Sequence, residues 1–429
     1  MNIGIIGSGH VGLVTGACFA DLGNDVICMD NDSQKIKLLQ HGQIPFFEPG
    51  LSELVQKNYD EGRLRFTTSI RDVVRTSKII FLCVGTPSTA CGDADLSAIE
   101  HVTRKIVESL REYRVIVEKS TVPVETGALL YQMIKQGNRR RIPFDVASNP
   151  EFLREGTAIQ DFFNPDRIVL GVESVRAKKA LLELYQPFKV PIIVTDISSA
   201  ELIKHASNSF LATKISFINL VSQMCDKVGA DVNKVAEGMG ADRRIGKAFL
   251  NAGIGFGGSC FPKDLAAFIR IGERLNVRSH LLKEVVEINE AQKINFAKRV
   301  IRILKKVENK TLGVLGLAFK PDTDDMRCAS AADILGLLKA AGAKIVAYDP
   351  CAVPEARKIL KGISFSKNPY DACRGADAAL ILTEWREFRE IDLKRLKQLL
   401  KYPVIIDGRN IYDPGEMKRM GFRYYSVGR

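Results

Sequence analysis

The chain has 429 residues, 46% hydrophobic and 26% charged, which describes a globular protein of two or three domains and excludes a disordered or fibrous one. Its formal charge of +12 is spread along the sequence, with short clusters such as Arg139, Arg140 and Arg141 but no aromatic-interleaved basic segment. Nucleic acid is therefore not the expected partner, and the excess charge suits pockets for anionic small molecules. Nine cysteines without a CxxC pair fit reduced thiols in the cytoplasm better than a disulfide framework. No basic leader precedes the first strand, and no apolar run approaches the ~20 residues of a membrane span, so neither secretion nor a membrane is expected.

Asn2–Ile6 reads as a short apolar strand, and GSGHVG follows with Gly7, Gly9 and Gly12 in G-x-G-x-x-G spacing. His10 to Leu22 has helical periodicity, Gly23 ends it, and Asp25 to Met29 is a second strand closed by Asp30. Strand, glycine turn, helix, strand and acid together form the full dinucleotide fingerprint. The glycines let backbone amides reach a pyrophosphate at the helix N-terminus. Asp30 would accept from a ribose 2′-hydroxyl and repel a 2′-phosphate, which favours NAD over NADP. Lys35 is close enough to reach the adenosine end, although an exposed helix lysine is the simpler account.

The β-α alternation continues. Lys78 to Pro87 is a buried strand ending at Thr86, and Tyr113 to Pro123 repeats the plan with Thr121. Ligands of open parallel sheets sit at strand carboxyl ends, so both threonines are placed to face a cofactor; each also reads as an ordinary helix N-cap. Asp145 to Gly156 is a third strand end, with Glu151 and Glu155 one helical turn apart. Ser198 to Val228 is a long apolar-periodic helix, with Lys204 and Asn208 on one face. No other His, Cys or acid stands at ligand spacing around His205, so no metal site is expected.

NAGIGFGGSCFPKD, Asn251 to Asp264, carries Gly253, Gly255, Gly257 and Gly258 and then one thiol, Cys260. Pro262 fixes φ where a helix can begin, and LAAFIRIGERL continues as that helix. Cys260 then lies just ahead of a helix N-terminus, where partial positive charge favours thiolate, and Asp264 projects to the same side. A nucleophile beside a carboxylate suits covalent catalysis; the same stretch also reads as a glycine-rich turn with an inert cysteine. From Thr311 the α/β pattern restarts, with strands at Lys344 to Pro350, Ala378 to Trp385 and Val404 to Asn410. Gly313 and Gly316 form a partial nucleotide-type turn, with Lys320 and Arg327 at its mouth and Arg409 at another strand end. The expected class is α/β: two Rossmann-like parallel-sheet domains, 1–195 and 310–429, joined by a long central helix and a helical middle segment, 196–309.

Nine segments carry a resemblance over nearly the whole chain: GIIGSGHVGLVTGACFADLG, HGQIPFFEPGL, VGTP, STVP, NPEFLREG, ELIKHASNSFLATKISFIN, GIGFGGSCFPKD, GLAFKPDTDDMR and DGRN. The chain resembles the UDP-glucose 6-dehydrogenases, within the UDP-sugar and GDP-mannose dehydrogenase superfamily. The resemblance implies oxidation of the C6 alcohol of UDP-glucose to a carboxylate with two NAD consumed. It makes Cys260 the nucleophile, Lys204 the oxyanion cation, Asn208 a holder of that oxygen or a water, and Asp264 the base. Glu151 and Thr121 would hold the water network. Val11, Lys263 and Arg327 would help with NAD, and Glu155 would lie between cofactor and sugar. The sugar nucleotide would meet Glu151, Phe152, Leu153, Arg154 and Glu155, then Phe249, Leu250, Asn251, Ala252, Gly253 and Gly257, with Lys320 and Arg409 in the C-terminal lobe. Arg244 would reach a partner's site, which implies a homodimer or higher oligomer.

Other readings stay open on residues alone. A sister enzyme acting on UDP-N-acetyl sugars or GDP-mannose shares the chemistry and differs in the pocket. A single-oxidation hydroxyacid dehydrogenase also starts with GxGxxG but has no use for Cys260. A non-catalytic nucleotide- or nucleic-acid-binding protein would need neither thiol nor base.

Overall fold

Alternating apolar runs and amphipathic helices build two sheets, seen in a computed structural model that describes residues 1–87, 89 and 93–429. The chain divides into two units, Met1–Ser207 with Ala266–Asn276, and Asn208–Leu265 with Val277–Arg429.

The first unit holds strands β1 (Asn2–Ile6), β2 (Asp25–Met29), β3 (Leu64–Thr67), β4 (Ile79–Leu82), β5 (Arg114–Glu118), β6 (Phe144–Ser148), β7 (Ile168–Val172) and β8 (Ile192–Thr195). They pair in the order β3-β2-β1-β4-β5-β6-β7-β8. The first six are parallel, as the β-α alternation predicts; β7 is antiparallel to β6 and β8 parallel to β7. An antiparallel step starts and finishes at one edge of a sheet. The 149–167 connection, with Glu151 and Glu155, therefore stays at the carboxyl edge of β1, β4, β5 and β6. The strand order reverses between β1 and β4, which is where dinucleotides bind in sheets of this kind. Strands buried on both faces explain the near-continuous apolar runs: Ile3, Ile5, Phe81 and Val117 pack on one side, and Ile6, Ile80, Leu82 and Ile116 on the other.

The second unit holds β9 (Thr311–Leu315), β10 (Lys344–Tyr348), β11 (Ser364–Phe365), β12 (Ala378–Ile381), β13 (Val404–Asp407) and β14 (Arg423–Tyr425). All pairs are parallel, in the order β11-β10-β9-β12-β13-β14. The long helix Ile197–Val228 begins in the first unit and continues in the second. Phe261–Arg274 and His280–Ile303 are the other long helices of the middle segment. No helix among the described residues is long and apolar enough to cross a membrane.

Candidate active site

The glycine turn has the shape a dinucleotide needs. Gly7 sits at φ +101°, and a Cβ there would meet the Cys83 carbonyl at 2.6 Å. At Gly12 a Cβ would lie 1.8 Å from the Gly7 carbonyl oxygen, so the helix closes tightly on the strand, whereas the space beside Gly9 is open. That open side, with the His10–Asp21 helix starting directly after it, fits a pyrophosphate. Asp30 closes β2 as expected. Its Oδ2 accepts from the Ser8 amide at 3.0 Å and from Lys35 Nζ at 2.8 Å, and its Oδ1 accepts from the Asp32 amide at 3.1 Å. Burial opposes its ionisation, but Lys35 and the two amides win and hold the carboxyl below its ordinary range. Lys35 thus supports the acid that would grip the ribose. Val11 is half-buried in the first turn of the helix.

Thr86, at the end of the β4 run, donates its hydroxyl to the Thr121 carbonyl at 2.8 Å, which brings the two predicted threonines together. The Thr121 turn is pinned from the long helix. Glu201 accepts from the amides of Glu125 at 2.8 Å and Gly127 at 2.7 Å, and His205 Nε2 donates to the Val122 carbonyl at 2.6 Å. One turn along the same helix, Lys204 Nζ donates to Glu151 Oε1 at 3.0 Å, with both side chains buried. The Phe152 ring takes the Arg167 guanidinium at 3.7 Å and the Lys204 ammonium at 5.2 Å. The Glu151 carboxylate also accepts from the Leu153 amide at 2.6 Å, which curls the 151–153 backbone around it. Arg154 is exposed and forks onto Asp161, and Glu155 is half-buried.

In the second unit the thiol stands where the sequence places it. The helix starts at Phe261, Pro262 is its second residue, and the Asp264 amide closes the first helical bond to the Cys260 carbonyl at 2.8 Å. Cys260 is exposed, with Ser259 Oγ 3.5 Å from its sulfur. Asp264 is 1% exposed; its Oδ2 accepts from Asn208 Nδ2 at 2.6 Å, and its Oδ1 lies 2.7 Å from Lys263 Nζ. Lys263, expected at the cofactor, is thus the counter-ion of the expected base.

The glycine stretch is clamped from several sides. Asn219 Oδ1 accepts from the Gly253 amide at 2.8 Å, and Gln292 Nε2 donates to the Gly253 carbonyl at 2.7 Å. Asn289 exchanges bonds with the amide and carbonyl of Phe256, at 2.8 and 3.2 Å. Arg409 donates to the carbonyls of Gly255 at 3.4 Å and Phe319 at 3.2 Å, and the Gly258 amide donates to the Arg327 carbonyl at 2.9 Å. A Cβ on Gly257 would lie 2.2 Å from the Cys328 carbonyl oxygen. The predicted residues Gly253, Gly257, Cys260, Arg327 and Arg409 therefore share one neighbourhood.

Other predicted cations also have local partners. Arg327 forks onto Asp325, Arg244 forks onto Asp242 while fully in solvent, and Lys320 Nζ lies 5.6 Å over the Phe319 ring. Phe249 adopts a left-handed φ of 64°, Leu250 and Ala252 are buried, and Asn251 is exposed. Sequence reasoning missed the supporting polar groups: Glu48, Lys119, Asn149, Glu201, Asn219, Asn289 and Gln292. Lys119 is buried and donates to Asn149 Oδ1 at 3.1 Å, and burial pushes its ammonium pKa down. The signal for Asn289 and Gln292 was present, as polar residues i, i+3 on the buried face of an amphipathic helix.

A dinucleotide turn on one sheet, a second nucleotide-type sheet and an exposed thiol at a helix start define an NAD-dependent oxidoreductase with two Rossmann-like domains. The chain belongs to the UDP-glucose/GDP-mannose dehydrogenase family: it matches the family's NAD-binding domain over residues 1–189, its central domain over 198–291 and its UDP-binding domain over 313–414. It is 49% identical over 429 residues to the UDP-glucose 6-dehydrogenase TuaD of Bacillus subtilis, covering 100% of this chain and 93% of that one. A solved UDP-glucose dehydrogenase from Pyrobaculum islandicum is similar at a TM-score of 0.93 and 36% identity, over 100% of this chain and 97% of that one. A solved UDP-D-ManNAc dehydrogenase from Pyrococcus horikoshii is similar at a TM-score of 0.88 and 26% identity, over 100% and 99%.

Proposed function

We propose that the chain oxidises UDP-glucose at carbon 6 to UDP-glucuronate, consuming two NAD and one water, with the half-oxidised sugar held on Cys260. The observation that carries this reading is the exposed Cys260 thiol at the start of a helix whose first-turn acid, Asp264, is buried between Asn208 and Lys263. Gly7, Gly9, Gly12 and Asp30 would hold NAD, which would supply the hydride acceptor for both oxidations. Lys204, already charge-paired with Glu151, steadies the oxygen of the substrate as it becomes an alkoxide. Asp264 takes the proton from the alcohol, directly or through water. The Cys260 sulfur adds to the aldehyde carbon to give a thiohemiacetal; its oxidation leaves a thioester, and water releases the carboxylate and restores the thiol. Asn208 holds the oxygen at carbon 6, and Thr121 and Glu151 order the water. A covalent tether accounts for one site oxidising twice without releasing the aldehyde.

The division of labour we infer is NAD on 1–195, catalysis and assembly on 196–309, and the UDP moiety on 310–429. Arg409 and Lys320 would meet the nucleotide sugar, Arg327 and Lys263 the cofactor, and Arg244 a neighbouring subunit's site. Phe210, Phe217 and Met224 lie seven residues apart on the long helix and are exposed, which suits a homodimer along that helix. The described cysteines form no disulfide with one another, which suits the cytoplasm.

Incubation with UDP-glucose and NAD tests the reading. Two NADH per sugar and a product with the mass of UDP-glucuronate are expected; one NADH per sugar would refute the thioester route. The similarity to a UDP-D-ManNAc dehydrogenase supports a second reading, a sister sugar substrate. Steady-state rates with each nucleotide sugar side by side decide between them.

A further inference from the structure

Glu48 lies between the Ser33–Gln40 and Leu51–Asp60 helices, and its side chain is fully buried. Its carboxylate joins two stretches that are far apart in sequence. Oε2 accepts from His10 Nε2 at 2.7 Å and from the Gly156 amide at 2.7 Å, and Oε1 accepts from the Ala158 amide at 2.8 Å. His10 is the first residue of the helix that opens at the glycine turn, and its ring packs on Phe46 at 5.0 Å between centroids. Gly156 directly follows Glu155. One buried carboxylate thus ties the opening turn of the dinucleotide helix to the backbone that carries Glu155.

The two amide bonds alone would satisfy the start of the Ala158–Phe163 helix. The bond to His10 adds something else, a fixed azimuth for the residue next to Gly9. A charge-assisted hydrogen bond to a fully buried carboxylate holds such a residue more firmly than packing does, even with the His10 ring partly exposed. We propose that Glu48, acting through His10, is a positioning residue for the cofactor: it locks the first turn of the dinucleotide helix against the Glu155 turn. The consequence for Glu155 rests on the reading above, in which Glu155 lies between cofactor and sugar; the consequence for NAD affinity does not.

The test uses the full-length chain and three variants, His10→Phe, Glu48→Gln and the double. His10→Phe keeps a ring on Phe46 and removes only the hydrogen bond; Glu48→Gln keeps the size and leaves one amide without an acceptor. NAD affinity is measured by calorimetric titration without sugar, alongside KM for NAD and for UDP-glucose and the melting temperature. His10→Phe should weaken NAD about tenfold with the melting temperature and the UDP-glucose KM nearly unchanged, a split that a general loss of packing would not produce. The double variant should bind NAD no worse than Glu48→Gln alone, because both remove one contact. Unchanged NAD affinity in folded His10→Phe overturns the proposal even if Glu48→Gln fails to fold, and so does a double variant whose loss is the product of the two singles. Failure of the wild-type chain to oxidise UDP-glucose would count against the function alone, since the NAD titration reads out independently.

Discussion

Cys260 and Asp264 sit one helical turn apart with opposite surroundings, the thiol exposed and the acid sealed in. A nucleophile has to meet substrate, whereas a base benefits from fixed partners. Cys260→Ser should therefore stop net uronate formation by about a thousandfold or more while NAD affinity stays within about twofold. Product mass and NAD titration check it, and normal uronate output from the variant would remove the thiol from the mechanism. Glu118 offers a second, independent test. It is fully buried at the end of β5; burial first, and the Glu201 charge second, push its carboxyl well above the ordinary value of 4.5. A raised native pKa means that the folded chain holds a proton which the unfolded chain gives up. Stability from that proton is complete below about pH 4.5 and is lost as pH rises through the native value. Glu118→Gln cannot ionise, so it should melt above wild type at pH 8, by about 2 °C or more, and match it near pH 4.5. Melting curves across that range check it, and parallel curves would contradict the buried proton. At this scale, positions inside motifs were legible: Asp30 follows β2, Lys204 and Asn208 lie on the long helix, and Cys260 and Asp264 bracket the start of a helix, as spacing placed them. Glu48, Lys119 and Asn219 were not, because each acts on a group distant in sequence and nothing local marks that partner.

The glycine stretch shows what an element adds. Its shape is imposed by Asn219, Asn289, Gln292 and Arg409, and its closest approach is Gly257 against the Cys328 carbonyl. A methyl group at 2.2 Å from a backbone oxygen has no rotamer to escape into. Gly257→Ala should shift the loop and cut turnover about a hundredfold, while the glycine turn at Gly7, Gly9 and Gly12, which it does not touch, keeps its shape. Turnover near wild type would show that the loop tolerates the move. The elements themselves were largely readable from period. The long helix was expected from Ser198 and begins at Ile197, and β1, β2, β9 and β10 fall on their predicted runs. The antiparallel entry of β7 was not readable, since a short apolar run such as Ile168–Val172 specifies burial and not direction.

For the whole molecule, the exposed residues Phe210, Phe217, Met224 and Val228 make a seam on one helix that a monomer would leave in water. If the proposed homodimer forms along this helix, replacing Phe217 by Asp should lower the sedimenting mass to that of one chain and reduce turnover, because Arg244 would then lack the neighbouring site proposed for it. An unchanged sedimentation coefficient would place the interface elsewhere. The seam was visible in the sequence only as part of a regular helix. Telling its wet face from its packed face needs the fold, since the buried face carries Glu201, Lys204, His205, Asn208 and Asn219 while the exposed one carries Phe210, Phe217 and Met224.

The buttress at Cys328 has a consequence for biosynthesis. During translation Cys260 leaves the ribosome long before the carbonyl that shapes its approach loop exists. A nascent chain therefore displays that sulfur before the helix start and the loop that set its reactivity are in place, and chain-arrested intermediates should be alkylated at Cys260 more slowly than the finished protein. Because Arg409 also holds this stretch, its supports are complete only after residue 409 of 429 has been made, and full reactivity waits until then.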